Sequence, residues 1–572
     1  MSKTAILNGL KRLTKVPIRP VRFYSVESNG KRIGTSTNDN GVRLSLVSGS
    51  LIVGIGLGLI SSSYFVSKGD KQVFPLQSTT PLTALDPPRY GSDEDLKLCI
   101  KEIIQTIGSD NVKNTEAELD HHTDNGFNPT KPQPHQKPRW IVYATSTEDV
   151  SAVMKIINKY NIPVVPFSGG TSLEGHTYST RPGIVLNTSK MNKILAVHHK
   201  DLDAVLQAGV GWQQLNEYLA SVPEYKNMML GCDCGPGAHV CGMVNTNASG
   251  IGATRYGSMG ANIISITVVL ADGTVVKTKK RPRKSSAGYN LTGLFVGSEG
   301  TLGIVTEVTV KLQVRPPYET VAVVQFPTLK DSTNTVAELF QKGIQLNAVE
   351  LLDSSMMKCI NYSNLVSKKY DNVPTLFFKI SGLNKTVVQE YVKQVKQISQ
   401  DNHCSKFEFA KNEQEAEELF STRKNALYLM LDYAFNEIDE NAKMWITDCA
   451  VPLSNLAATL EELDKITATY PLTHMTLGHV GDGNIHYDIF YEPDQFEICK
   501  QLVAEINAVT LKNEGTCSGE HGIGTGKRKF LEDELGSDTV DLMRKVKLAI
   551  DPKRLLNPDK VLKIDPLDPS NE

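Results

Sequence analysis

Two histidines seven residues apart, His479 and His486, stand in the run Gly478-His479-Val480-Gly481-Asp482-Gly483-Asn484-Ile485-His486, and a carboxylate–histidine pair, Glu520-His521, follows between Gly519 and Gly522. The chain holds only 12 histidines, so three of them with a glutamate form a concentration of ligating groups. Two neutral imidazoles and one carboxylate make a three-ligand set for a divalent ion that keeps a position open. The spacing is broken by glycines and cannot be one helix face. It suits a strand–turn–strand that folds both rings toward one point, with Glu520 arriving from a separate loop. Ligand type leaves the metal open; Zn²⁺ is the first choice, and Mn²⁺ and Fe²⁺ are compatible. A lone loop histidine would need no ion. The cluster is what argues for one.

A second group of residues is built for close approach to backbone. Pro166-Phe167-Ser168-Gly169-Gly170-Thr171-Ser172-Leu173-Glu174-Gly175 has adjacent glycines and two hydroxyls and no basic residue. Such a loop can turn several N–H groups toward one anion. It lacks the lysine of a P-loop and is not G-x-G-x-x-G. A second glycine-dense tract spans 231–257 and a third spans 297–305. Three such tracts in one region clear side chains from the path of something large and flat, which points to a bulky cofactor rather than three unrelated turns.

In this order the three tracts resemble the FAD-binding domain of the vanillyl-alcohol-oxidase/PCMH flavoprotein family over residues 139–315, and the likeness resumes after 317 with that family's FAD-oxidase C-terminal domain. The resemblance implies an α+β fold, with a PCMH-type FAD-binding domain followed by an antiparallel-sheet substrate domain. It implies that Gly169, Gly170, Thr171 and Ser172 hold the pyrophosphate, that Pro166 also contacts the cofactor, and that Pro236, Gly237, Gly242, Ser249, Gly252 and Ile304 line the flavin. Some members tether flavin through a histidine in the first loop. Those positions are Gly, Thr and Ser here, so non-covalent FAD is expected, and His176 just beyond is read as a capping or surface residue. Leu556-Asn557-Pro558 resembles the family's Asn-Pro-Gly-Lys flavin contact, with Asp559 where the glycine would be; Asn557 is carried over as a contact.

The histidine cluster resembles the D-2-hydroxyacid dehydrogenase branch of the same family. That likeness makes His479, His486 and Glu520 the metal ligands and His521 the general base. The segment around Phe420-Ser421-Thr422-Arg423 matches the branch's substrate arginine, and a guanidinium fork suits a carboxylate; the plain alternative is a surface arginine on a helix with Glu417 and Glu418. The 2-hydroxyglutarate enzymes of the branch place a lysine before the segment of Asp448, and none is present in Trp445-Ile446-Thr447-Asp448. This shifts the expected substrate to D-lactate, with cytochrome c as electron acceptor. The alternatives are another D-2-hydroxy acid with an electron-transfer flavoprotein or a quinone, and a non-redox flavin enzyme of the same fold; the intact Glu520-His521 pair argues against the latter.

The elements that must position these groups can be read from periodicity. A helix is expected near 96–107 and another from Thr147 with Val150, Val153, Met154 and Ile157 on one face. Strands are expected at 162–167, 184–186 and 204–210, and a hairpin about Asp272-Gly273. Glu307–Val314 alternates, placing Val308, Val310, Leu312 and Val314 on one face. From about 318, strands at 321–326, 376–381, 444–448, 473–478 and 485–491 alternate with helices near 331–342, 386–400, 411–432, 453–468 and 494–512. The pattern reads as an antiparallel sheet with helices on one face. The expected divisions are 139–316 for the flavin, 317–525 for substrate and metal, and 526–572 as a helical segment returning to the flavin domain.

The N-terminal part reads as an address. Residues 1–26 carry six basic residues and no acidic one, the composition of a mitochondrial presequence. Leu44 to Ser67 holds no charge between Arg43 and Lys68 and is long enough to span a bilayer once. Residues 68–138 read as a lead-in helix and a proline-rich linker. The expected location is therefore the mitochondrial inner membrane, with the catalytic part facing the intermembrane space; a homodimer is compatible. The formal charge is −2, and removal of the six N-terminal basic residues leaves −8. That balance excludes a nucleic-acid-binding stripe and favours encounter with a basic electron carrier. Nine scattered cysteines with no C-x-x-C pair exclude a disulfide framework and a cysteine zinc site.

Overall fold

The computed structural model describes residues 77–363 and 368–568. The presequence at 1–26 and the span at 44–67 lie outside the described residues. Among the described residues no helix is long and apolar enough to cross a membrane.

The flavin-side half opens with α1 (Asp93–Ile107). Ser92 caps it: its Oγ accepts from the Asp95 amide at 3.2 Å while the Asp95 carboxylate accepts from the Ser92 amide at 2.8 Å. After β1 (Trp140–Tyr143) comes α2 (Thr147–Tyr160), capped by Ser146 and closed by Asn161 in the left-handed region. The expected face of Val150, Val153, Met154 and Ile157 is fully buried. It packs with Leu96, Ile100 and Ile103 of α1 in one core, each such side chain contributing about 1.5–3 kcal/mol. β2 (Val164–Phe167) and β3 (Ile184–Asn187) follow, and both β1 and β2 pair with β3 in parallel. A second, antiparallel sheet runs β4 (Ile194–His198), β5 (Asp203–Gln207), β8 (Ile304–Lys311), β6 (Ile263–Val269) and β7 (Val275–Lys277), with α3 (Val240–Thr246) between β5 and β6 in the chain. The β6–β7 hairpin about Asp272-Gly273 forms as expected.

The alternation over 307–314 holds only in part. Val308, Val310 and Leu312 are buried, but Val314 is 53% exposed. The chain leaves the sheet after β8, and Gln313–Val314 pairs instead with Met228–Met229. Thr309, on the opposite face, is also buried, because β8 is a central strand whose Thr309 hydroxyl accepts from Ser265 at 3.1 Å.

The second half contains β9 (Tyr318–Gln325), α4 (Leu329–Gln341), β10 (Ala348–Leu352), α5 (Ser354–Ser363), β11 (Thr375–Gly382), α6 (Lys385–Asp401), β12 (Lys406–Phe409), α7 (Glu413–Lys424), α8 (Ala426–Tyr433), β13 (Lys443–Ile446), α9 (Leu456–Thr467), β14 (Thr473–Gly478), β15 (Asn484–Tyr491) and α10 (Phe496–Lys512). Its strands form one antiparallel sheet in the order β12-β9-β11-β10-β14-β15-β13. The expectation of helices on one face is corrected. Ala322 and Val324 of β9 face α4, α6, α9 and α10, whereas Val321 and Val323 face α5, α7 and α8. Both faces are apolar, so both must be covered. The single helix expected over 411–432 breaks at Asn425, whose side chain donates to the Ser421 carbonyl at 2.9 Å.

The C-terminal α11 (Ser537–Ile550) and the segment after it close back on the first half. The Val164 amide donates to the Leu555 carbonyl and the Asn557 amide to the Val164 carbonyl, both at 2.8 Å. This joins the last residues of the chain to the strand that carries the first glycine loop.

Candidate active site

One cavity of about 330 Å³ runs from the first glycine loop to the histidine cluster. Pro166, Gly169, Gly170, Thr171 and Ser172 line it at one side, Gly242, Ile304 and Asn557 along it, and Arg423, His479, His486, Glu520 and His521 at the other. Four expected contacts, Pro236, Gly237, Ser249 and Gly252, are off the wall; their neighbours Gly235, Ala238, Ala248, Gly250 and Ile251 line it instead. The Gly252 amide is already taken by the Asp233 carboxylate at 2.7 Å, so this part of the tract is folded onto itself.

The first loop fits a pyrophosphate. Gly170 has φ +68°, and a Cβ there would lie 2.7 Å from the Phe167 ring. Asn125 reaches in from the lead-in segment and donates to the carbonyls of Gly170 at 3.0 Å and Ser172 at 2.7 Å. Those carbonyls are thereby fastened, while the amides of Gly169, Gly170, Thr171 and Ser172 have no protein acceptor among the described residues. A cradle of free N–H groups on a cavity wall is what a phosphate oxygen needs.

The expected ion ligands converge. β14 delivers His479 and β15 delivers His486, on adjacent antiparallel strands joined by the glycine turn. Glu520 Oε1 lies 3.2 Å from His479 Nε2 and 3.4 Å from His486 Nε2. The far nitrogens are occupied: His479 Nδ1 meets Glu350 Oε1 at 2.7 Å and His486 Nδ1 meets the Thr447 carbonyl at 3.0 Å. Both rings therefore spend Nδ1 outward and aim Nε2 at the Glu520 carboxylate. Two imidazoles aimed at one buried carboxylate call for positive charge between them, which ring protons or a metal ion can supply. The protein alone shows the same demand. Burial works against a charged His479, but Glu350 and Glu520 outweigh it and push the ring up to about 10. For Glu520, burial is likewise overcome by His479 and His486, which hold the carboxyl far below its ordinary range. The residues fit a divalent ion.

Ligating atoms of Asp448, His486, Glu520 and His521 also lie within 4.8 Å of one another. Asp448 is spent elsewhere. Its Oδ2 accepts from the amides of Glu520 at 2.9 Å and His521 at 2.8 Å and from Ser518 Oγ at 2.9 Å; its Oδ1 accepts from Asn484 at 2.8 Å. It shapes the turn that presents Glu520 and His521. His521 stacks on His486 with centroids 5.2 Å apart. Burial pulls its ring down to about 4; Lys527 and His486 add to this and Asp448 opposes it. The surroundings thus favour the neutral ring, the form a general base needs.

Arg423 is no surface residue. It is 6% exposed, and its Nε lies 2.8 Å from Glu350 Oε2. Its Nη2 is buried with no acceptor, the condition of a guanidinium awaiting an anion. His176 is also buried rather than peripheral, with Nε2 2.8 Å from Glu299 Oε2.

Sequence reasoning missed Glu350, Glu299 and Lys527. Glu350 sits in the apolar run Ala348–Leu352, where a single charge in a fully buried strand is the signal that was available. Glu299 is a non-glycine at φ +52°. Its carboxylate accepts from the amides of Ile523 at 2.6 Å and Gly524 at 2.7 Å, tying the third glycine tract to the loop that follows His521. Gly522 has to be glycine there, since φ is +83° and a Cβ would lie 2.8 Å from both Glu299 and His176. Lys527 is buried 3.3 Å from both Glu174 and Asp448.

The family described as "FAD binding domain" matches residues 138–279, and that described as "FAD linked oxidases, C-terminal domain" matches 315–561. A "D-lactate dehydrogenase [cytochrome] 1, mitochondrial" of Saccharomyces cerevisiae is 49% identical over 510 residues, 88% of this chain and 86% of its own. The chain belongs to the FAD-linked oxidases. A second such oxidase, the "D-lactate dehydrogenase [cytochrome], mitochondrial" of Kluyveromyces lactis, is 48% identical, covering 92% of this chain and 91% of its own. Among solved structures, p-cresol methylhydroxylase shares the fold of this FAD-linked oxidase, with a TM-score of 0.69 at 18% identity over 84% of this chain and 99% of that one.

Proposed function

We propose that this FAD-linked oxidase oxidises D-lactate to pyruvate and passes the electrons to a cytochrome of the c type. The observation that carries the reading is the sharing of one cavity by the free amides of residues 169–172, the buried and unpaired Nη2 of Arg423, His521 and the His479–His486–Glu520 set. The 48–49% identity to D-lactate dehydrogenases supports it.

When bound, FAD supplies the two-electron acceptor and the divalent ion supplies the positive charge that acidifies an α-hydroxyl. Gly169, Gly170, Thr171 and Ser172 would hold the FAD pyrophosphate, with Pro166 against the cofactor beside them, and Gly242, Ile304 and Asn557 its ring side. His479, His486 and Glu520 would hold the ion, with Zn²⁺ the first choice. Arg423 binds the lactate carboxylate through Nη2 and so fixes which face of the α-carbon is presented. His521 takes the hydroxyl proton; its Nδ1 is buried without a hydrogen-bond partner, 3.9 Å from both Glu174 and Asp448. Glu350 holds His479 and Arg423 in register, and Asp448 holds the backbone of Glu520 and His521.

On this reading residues 139–316 serve the cofactor, 317–525 the substrate and ion, and 526–572 the closure onto the first half. The protein is mitochondrial, tethered through 44–67 to the inner membrane with its catalytic part in the intermembrane space. The test is anaerobic flavin absorbance of the purified protein. D-lactate should bleach it while L-lactate and D-2-hydroxyglutarate leave it oxidised; absence of bleaching by D-lactate removes the assignment.

A further inference from the structure

Helix α8 and the π-turn that continues it, Ala434–Ile438, carry an apolar stripe on the surface. Tyr428 is 55% exposed, Phe435 47% and Ile438 37%, and half-buried Leu431 lies between them. Their three- and four-residue spacing sets them along one side. Scattered apolar residues are ordinary on a surface, but four in register within a predominantly acidic stretch of chain mark an interaction face. The rim is acidic: Asp432, Glu437, Asp439 and Glu440, with no basic residue between Lys424 and Lys443. Lys358 borders the face, its Nζ 6.0 Å over the Tyr433 ring.

The position of this face matters as much as its composition. α8 begins directly beyond Arg423 and Lys424, which line the cavity. The Tyr428 ring packs edge-on against Phe127 with centroids 6.2 Å apart, and Phe127 belongs to the segment whose Asn125 fastens the first glycine loop. The stripe therefore starts within a few residues of two cavity-lining side chains, Arg423 and Lys424, while the inner side of α8 (Ala426, Met430, Tyr433) packs into the core. An anionic lipid surface would be repelled by this rim, whereas a basic protein is attracted to it.

We propose that this face docks the electron acceptor, a small basic c-type cytochrome whose exposed haem edge is ringed by lysines; the inference rests on the reading of the chain as a cytochrome-linked D-lactate dehydrogenase. The apolar stripe meets the haem edge and the four carboxylates meet the lysines. D-lactate gives up two electrons and two protons in becoming pyruvate. Each turnover therefore reduces two ferric haems in successive one-electron encounters here and releases two protons.

The test uses the whole flavin-loaded protein and a variant carrying Asp432→Asn, Glu437→Gln, Asp439→Asn and Glu440→Gln, with Phe435→Ser as a second variant. For the neutralised variant, kcat/KM toward ferric cytochrome c should fall about tenfold at low ionic strength and converge on wild type at high salt. Phe435→Ser should raise KM for cytochrome c at all salt concentrations. Flavin reduction by D-lactate and turnover with an uncharged quinone should not change in either. Calorimetric titration of oxidised protein with ferric cytochrome c needs no turnover and should show the same weakening, so the face is tested even if D-lactate fails to bleach the flavin. Wild-type binding and salt dependence in both variants would overturn the proposal. So would loss of self-association on sedimentation with cytochrome binding unchanged, which would give the face to a second copy of the chain.

Discussion

Glu350 and His479 are joined at 2.7 Å, carboxylate oxygen to Nδ1, and the other oxygen of the same carboxylate lies 2.8 Å from Arg423 Nε. On the proposed function, one fully buried side chain sets both an ion ligand and the arginine for the substrate carboxylate. The proposed ion and substrate sites would then be mechanically one unit, and damage to Glu350 should be felt at both.

Glu350→Gln retains the shape and removes the charge that fixes the His479 ring. Ion affinity should fall by about 10–100-fold and KM for D-lactate should rise with it. Elemental analysis after dialysis against a graded chelator reads the first, steady-state kinetics the second. Unchanged ion content together with unchanged KM would remove Glu350 from both roles.

Glu299 acts from the other half of the molecule, through the amides of Ile523 and Gly524. Glu299→Ala frees the loop that carries His521, and misplacement of a base by about an ångström costs on the order of a hundredfold in rate. Stopped-flow flavin reduction should slow accordingly with flavin content retained, and Glu299→Gln, which can still accept one N–H, should fall between. Equal rates in all three proteins would show that the tie does not position the base.

Lys560 gives a stability test separate from catalysis. It is 2% exposed; burial, opposed by Asp559 and reinforced by Arg528 and Arg181, pulls its ammonium down to about 7 from an ordinary 10.5. Between those values the unfolded chain binds the proton and the folded chain does not, so stability rises with pH across that window; below pH 7 both states are protonated and the penalty is complete. In denaturant titrations the wild type should gain stability from pH 7 to 9 relative to Lys560→Met. Parallel pH profiles would contradict this.

Much of the architecture was legible because local pattern and tertiary burial agree. The Val150–Ile157 face and the 263–277 hairpin form as their periodicity demands. The failures have physical causes. Two-sided burial of the second sheet leaves β10 as a continuous apolar run with no alternation to read, so β10 and its Glu350 went unseen. Val314 obeys the alternation locally but is claimed by a different strand pair. At the site, His479, His486, Glu520, His521 and Arg423 could be named from residue type and resemblance. The carboxylates that hold them, Glu350, Asp448 and Glu299, act at sequence separations of 70 or more. Only the fold brings those groups together. For the same reason Pro236, Gly237, Ser249 and Gly252 lie off the cavity wall that their neighbours in the tract line.

The central claim is that His521 is the base for D-lactate oxidation in this cavity. Its most direct test is single-turnover, anaerobic reduction of bound flavin by D-lactate in His521→Ala beside wild type, at equal flavin occupancy. The account predicts bleaching in wild type and a rate lower by about 10²–10⁴ in the variant; a variant that bleaches at the wild-type rate would contradict it.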